Sequence, residues 1–194
     1  MLKSIIIIVL TFFTLSIAFV ACNSRNEATI AAGNISHDSL VKRGAYLVSI
    51  TGCDDCHSPK KMGPMGPEII PELRLSGYPS TRPILKADSN VVKQGWAMLG
   101  LDLTSAAGPW GMSFAANLTS DATGIGNWTE AQFRKAFTEG KWKGMDGNRM
   151  LLPPMPWQGF RKMDPVDVSA IFAFLKSTNP VENVEPPIRL FSQL

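Results

Sequence analysis

Apolar residues fall along the chain in three patterns. From Ile5 to Val20 they are almost continuous, broken only by Thr11, Thr14 and Ser16. That run is short for a bilayer span and follows a single cation, Lys3, which is the shape of a secretory signal segment. Three later stretches carry apolar residues at helical spacing. Leu40, Gly44 and Leu47 share one face of a helix predicted over 38–51, with Ser36 or Asp38 at its cap. A glycine inside a helix costs ~1 kcal/mol, so Gly44 predicts a close helix crossing. Thr129-Glu130-Ala131-Gln132 has the form of a capping box; it opens a second helix that carries Phe133 and Phe137 and stops at Gly140. Asp164 and Pro165 open a third, with a stripe of Val168, Ile171, Phe172 and Leu175, ending before Asn179-Pro180. Between Ser58 and Ala115 proline, glycine and turn signals replace any period. Leu99-Gly100-Leu101-Asp102-Leu103 has the look of a short element there, but its pattern assigns it to none. No alternating strand pattern is present. The expected architecture is all-α, with a long irregular insertion that wraps something.

Composition narrows the function classes. A length of 194 residues implies one domain. The 19 basic residues against 16 acidic ones are too balanced for binding by phosphate neutralisation. Three cysteines cannot form a complete disulfide framework, so each needs its own explanation. Cys22 directly follows the signal-like run as Val20-Ala21-Cys22, which resembles the lipobox of bacterial lipoproteins, although Phe19 stands where leucine is usual. The resemblance implies a signal peptide over 1–21, acylation of Cys22 and anchorage to the cell envelope of a bacterium, facing the periplasm. The alternative is ordinary cleavage near Ala21 without lipid. Residues 22–37 are small and polar and read as a lipidated flexible tether, leaving 38–194 as the folded domain. Removing residues 1–21 takes away only Lys3, so 19 less one, or 18, basic residues remain against 16 acidic ones.

The other two cysteines stand in Cys53-Asp54-Asp55-Cys56-His57. Cys-x-x-Cys-His is the attachment signature of c-type haem. Two thiols at this spacing add across the two vinyl groups, and the adjoining imidazole reaches the iron. A disulfide and a thioredoxin-like pair are the alternatives; a zinc site lacks a fourth ligand. The only other histidine, His37, lies in the polar segment. Candidate sixth ligands are therefore methionines, His37, a lysine, or none. Met155 stands out among eight methionines beyond Met1 because Pro153, Pro154 and Pro156 frame it and Trp157 and Phe160 can wall it; Met112 and an open iron site are the alternatives. Trp128 can donate its indole N–H to a haem propionate, and Arg149 and Arg161 can pair with propionates. Arg134, Lys135, Lys141, Lys143 and Lys162 read as a solvated basic surface.

Several segments taken together resemble the monohaem class I-like cytochromes c, in particular the cytochrome modules serving membrane-bound alcohol and gluconate dehydrogenases. They are Arg43-Gly44-Ala45-Tyr46-Leu47, Gly52 with Cys53 to His57, Phe114 to Asn117, Thr123 to Thr129, Phe133, Leu152 to Trp157, and Ala170 to Lys176. The chain departs from multihaem relatives in having one attachment motif and a longer insertion after Pro59. The resemblance implies a small helical fold around one covalent haem c, with cofactor-binding residues Cys53, Cys56, His57, Met155 and Trp128, and iron held by His57 and Met155. It also implies an electron carrier rather than an enzyme, taking single electrons from a dehydrogenase or respiratory complex and passing them to another cytochrome or an oxidase. His/Met ligation leaves no vacant iron site and raises the potential. The competing reading is a gas or peroxide sensor or enzyme with an open distal site. Two propionates would bring the net charge near zero, so strong electrostatic steering of partners is not expected.

Overall fold

The computed structural model describes residues 35–194; the expected signal peptide, the lipidation site Cys22 and most of the tether lie outside them. The first helix, α1 (His37–Ile50), is capped by Ser36, whose hydroxyl accepts from the Ser39 amide. Three short helices are α2 (Cys53–His57), α3 (Ser89–Lys93) and α5 (Trp157–Phe160); the longer two are α4 (Glu130–Glu139) and α6 (Pro165–Lys176). Each predicted helix start is met within about a residue because its cap is chemical, and α6 ends at Lys176, short of the Asn179-Pro180 stop. Thr129 accepts from the Gln132 amide, Gly140 closes α4 at φ +71°, and Asp164 accepts from the Val166 amide above Pro165. The Gln132 side chain does not close a reciprocal capping box; its Nε2 donates to the Lys143 carbonyl at 2.9 Å.

Helices α1 and α6 pack face to face. Gly44 makes this possible, since a Cβ there would overlap the Ala170 carbonyl and approach Phe174 Cβ to 2.7 Å. Arg43 adds a two-pronged ion pair to Asp167 at 2.9 and 3.0 Å. Leu47, Val48, Val168, Ile171 and Leu175 are buried between these helices and α4. A ladder of rings continues the core, with Phe133 5.3 Å from Phe172, Phe137 5.4 Å from Phe133 and Phe160 4.5 Å from Phe137.

The all-α expectation is contradicted: the fold is mixed. Residues 58–115 fold into two antiparallel sheets. One is the hairpin β1 (Lys60–Gly63) with β2 (Gly66–Ile69); the other is β3 (Met98–Leu99), β4 (Ser105–Gly108) and β5 (Gly111–Phe114), in that order. Periodicity missed them for two reasons. No strand exceeds four residues, and β4 and β5 are buried at every position, so Ser-Ala-Ala-Gly and Gly-Met-Ser-Phe have no solvent face to alternate with. A second core of Tyr78, Ala107, Met112 and Phe114 lies under this sheet, with Tyr78 edge-on to Phe114 at 4.9 Å. The C-terminal tail is strapped across it. Asn183 Nδ2 donates to Ser76 and Tyr78 carbonyls at 2.7 and 2.9 Å, and Arg189 pairs with Met112.

The Gly44 crossing yields a prediction of sign. Helix propensity alone would make Gly44→Ala stabilising by about 1 kcal/mol. Overlap with the Ala170 backbone reverses this, and Gly44→Ala is expected to destabilise by at least the ~1–3 kcal/mol of an overpacked core. Denaturant unfolding of the purified protein measures it; a gain in stability would contradict the crossing.

Candidate haem site

The three-stranded sheet and the helices enclose a cavity of about 520 Å³, within the ~300–1,000 Å³ typical of cofactor sites. Cys53, Cys56 and His57 line it from α2. Ile125 and Trp128 line it from the loop before α4, Phe133 and Phe137 from α4, Met155 and Phe160 from around α5, and Ile171 and Leu175 from α6. The sheet supplies the remaining wall, from Leu103 to Ala106 and from Ser113 to Ala116. All five residues expected to bind the cofactor thus share one cavity. Of the eight methionines in the described residues, Met155 alone lines it. Met112 is buried in the second core, and Met163 packs on the helical core without reaching the cavity. His37 is exposed in the first turn of α1.

His57 is oriented by one hydrogen bond. Its Nδ1 lies 2.7 Å from the Ala116 carbonyl oxygen, which can only accept, so Nδ1 carries the proton and Nε2 keeps its lone pair. Burial lowers the imidazole's pKa and the Ala116 bond opposes this only in part, so His57 is neutral at pH 7, the form that binds metal. Burial is also the main influence on Cys53 and Cys56 and raises both. A thioredoxin-like pair needs the opposite, a depressed thiol, so that alternative loses its chemistry. No disulfide joins the two cysteines.

Charged side chains clamp α2 from outside the cavity. Burial pushes the Asp54 carboxyl up, but Arg74 and Ser58 more than offset it, so it sits below its ordinary value of 3.8. Arg74 makes a two-pronged pair with it at 3.0 and 2.7 Å and lies over the Phe174 ring on α6 at 5.6 Å. Lys60 Nζ donates to the Asp54, Asp55 and Ser58 carbonyls at 3.2, 2.7 and 3.0 Å, covering the C-terminal end of α2. A cation at that end also interacts favourably with the negative pole of the helix dipole. Neither Lys60 nor the Ala116 carbonyl was expected from sequence. A backbone acceptor has no sequence signature, and a lysine three residues past a motif looks like any surface lysine.

The Met155 loop is held by its neighbours. Ser113 Oγ donates to the Pro153 carbonyl at 2.6 Å, and the Leu151 amide donates to the Gly140 carbonyl at 2.6 Å. Gly140 needs both its positive φ and its lack of a Cβ, because Trp157 Cε3 would lie 2.9 Å from one. Trp128 is half-buried, and no group of the described residues accepts from its Nε1. Arg149 lines the cavity and stacks on Trp142 at 4.1 Å, whereas Arg161 lies over Trp157 outside it. Of the basic surface, Arg134 pairs with Glu130 and Lys135 with Asp146. Two thiols and a neutral imidazole on one turn, a thioether in the same cavity and an apolar aromatic lining form a donor set that fits a covalently held haem.

Known proteins point to the same cofactor. No family model matches the chain. It is 30% identical to the gluconate 2-dehydrogenase cytochrome c subunit of Pantoea cypripedii over 183 residues, 93% of this chain and 30% of the relative. With the fructose dehydrogenase cytochrome subunit of Gluconobacter japonicus identity is 24% over 182 residues, again 93% of this chain and 30% of the relative. With the cytochrome c subunit of the quinone-type alcohol dehydrogenase of Gluconacetobacter polyoxogenes it is 30% over 145 residues, 74% of this chain and 23% of the relative. The chain therefore spans less than a third of the length of these relatives. The expected likeness to cytochrome c modules of dehydrogenases is borne out at that level; these similarities do not bear on the lipoprotein signal.

The Asp54–Arg74 pair makes acid stability testable. A depressed carboxylate stabilises the fold fully above its ordinary value of 3.8 and ceases to as pH falls through its lower folded value. Arg74→Met removes the stronger of the two contacts that hold the carboxyl down and leaves the Ser58 hydroxyl to oppose burial, so the carboxyl moves up from its native position. Acid unfolding followed by circular dichroism should begin at higher pH in this variant, and Arg74→Lys should recover part of the difference. An unchanged acid midpoint would show that the pair does not stabilise the site.

Proposed function

We propose that this chain is a c-type cytochrome that carries single electrons between a membrane dehydrogenase and a downstream acceptor, anchored by lipid at Cys22 on the periplasmic side of a bacterial envelope. The observation that carries the reading is the Cys53-x-x-Cys56-His57 turn facing Met155 across one apolar cavity, with the His57 Nδ1 proton already committed to Ala116. The relatives' names, as cytochrome subunits of gluconate, fructose and alcohol dehydrogenases, support the cofactor, the electron-transfer role and the kind of partner.

The haem supplies a one-electron iron couple; the chain's own residues do the rest. Cys53 and Cys56 would hold the group covalently, each thiol adding across one vinyl with its sulfur on one carbon and its hydrogen on the other. His57 Nε2, freed by the Nδ1 bond to Ala116, and the soft thioether of Met155 would be the iron's protein ligands, the thioether favouring the reduced metal. Trp128 Nε1, without a protein acceptor among the described residues, would donate to a propionate. Phe133, Phe137, Phe160, Ile171 and Leu175 exclude water from the ring. Were His57 and Met155 both to bind the iron, no site would be left there for substrate, which agrees with the carrier role of the relatives' cytochrome subunits.

Met155→Ala tests the ligand set. The reduction potential should fall, the weak far-red sulfur-to-iron band of the ferric protein should vanish, and carbon monoxide should bind readily, with covalent haem retained. The same change at Met112 should keep the band. If the wild type has no such band and already binds carbon monoxide, the open-site sensor or enzyme reading replaces this one. For the anchor, Cys22→Ser should shift the protein from membrane to soluble fractions. Retention in the membrane fraction would contradict lipidation at Cys22.

A further inference from the structure

Of residues 85–103 only Leu103 lines the cavity, so the segment runs outside it and ends at its wall. Strand β3 is the edge of its sheet, paired only with β4. Beyond it the chain turns tightly: the Gly100 amide donates to the Ser105 carbonyl at 2.9 Å and the Leu103 amide to the Gly100 carbonyl at 2.9 Å. This turn brings Leu99, Leu101 and Leu103 together around Gly100. Leu101 is 85% exposed and Leu99 56%. Leu85 reaches the same place, its Cδ1 3.7 Å from where a Gly100 Cβ would stand. Leu103 is the inner end of the ridge and lines the cavity wall. It is held at φ +64°, a conformation rare for a bulky residue.

The ridge carries little free charge: Lys86 adjoins Leu85 at its edge, and Lys60 Nζ, 3.1 Å from the Asp102 carbonyl, is committed to that oxygen and to the carbonyls of α2. From Gln94 to Ser120 the only ionisable side chain is Asp102. That carboxylate is buried and neutralised, accepting from Arg82 Nη1 at 2.5 Å and from the Thr104 hydroxyl at 2.8 Å. Exposed leucines over an internally neutralised carboxylate match a partner face that is itself uncharged and apolar. A partner's lysines would find no free carboxylate on the ridge and its carboxylates only Lys86 at the edge, so most of its charges in contact would be desolvated without compensation.

Resting on the cytochrome reading above, we propose that the Leu85–Leu99–Leu101–Leu103 ridge is the docking face for a one-electron protein partner whose own face is uncharged and apolar. Electrons then leave or enter through the wall that Leu103 completes. Only an electron crosses: one metal centre is oxidised as the other is reduced, and no proton or bond is exchanged. Because the contact is apolar, the rate should depend weakly on ionic strength, unlike electrostatically steered encounters.

The probe is a second copy of the full chain, through electron self-exchange in mixtures of oxidised and reduced protein, read by NMR line broadening. If the ridge is the transfer face, two copies meet ridge to ridge. Wild-type self-exchange should change little between low and high salt. Leu101→Asp, at an exposed side chain outside the cavity lining, should slow it by about tenfold and make it rise with salt. Leu101→Ser should slow it without adding salt dependence. Potential and haem spectrum should be unchanged in both, which separates lost docking from a damaged site. Wild-type rates in both variants would overturn the inference. So would flotation of the Cys22→Ser chain with phosphatidylcholine vesicles that Leu101→Asp abolishes while self-exchange stays at the wild-type rate; the ridge would then face lipid. Absence of covalent haem from the wild type would instead defeat the cytochrome reading itself.

Discussion

The hydrogen bond from His57 Nδ1 to the Ala116 carbonyl joins the two halves of the site. His57 belongs to the short α2 turn, packed on α1; Ala116 follows β5 and belongs to the sheet wall. The two are 59 residues apart in sequence. Their contact sets the imidazole's tautomer, leaves Nε2 facing the cavity and closes the cavity between helices and sheet. A second tie runs in parallel, with the Gly77 amide donating to the His57 carbonyl at 2.7 Å and the Tyr78 amide to the Ala115 carbonyl at 2.9 Å. The segment between α2 and the sheet is therefore tied to the backbone of His57 itself. The geometry of the site depends on this seam more than on any single packed side chain.

What could be read in the sequence is what local chemistry determines. Helices α1, α4 and α6 announced themselves through Ser36, Thr129 and Asp164 as caps and through stripes that bury Leu47, Phe133 and Ile171. Gly44 signalled the α1–α6 crossing because a glycine in a helix needs a reason. The attachment motif is legible because both cysteines and the histidine occupy one turn. Met155 was legible through its proline frame, and the structure brings it, with Trp128, to the same cavity as the motif; their roles rest on the proposal.

The rest was hidden for physical reasons. Alternation marks a strand only when one face meets water, and β4 and β5 are buried on both. Their small residues also lack the bulky or branched side chains that usually mark strands. The stretch with no readable period thus became a sheet rather than a loop, which overturned the all-α expectation. Lys60 and Ala116 act through the backbone, one capping carbonyls and the other offering one, and such roles leave no trace in residue type. The leucines from 99 to 103 were visible as a cluster, but their meaning depends on a turn and an edge strand that only the fold supplies.

The central claim is that the thiols of Cys53 and Cys56 are both consumed in holding a haem. The most direct measurement treats the denatured, purified protein with an alkylating reagent and determines the mass of the peptide containing residues 53–57. The claim predicts that neither cysteine is alkylated, that the peptide carries the mass of one haem and that the peroxidase stain of a denaturing gel stays with the chain. A colourless peptide alkylated at both cysteines would contradict it.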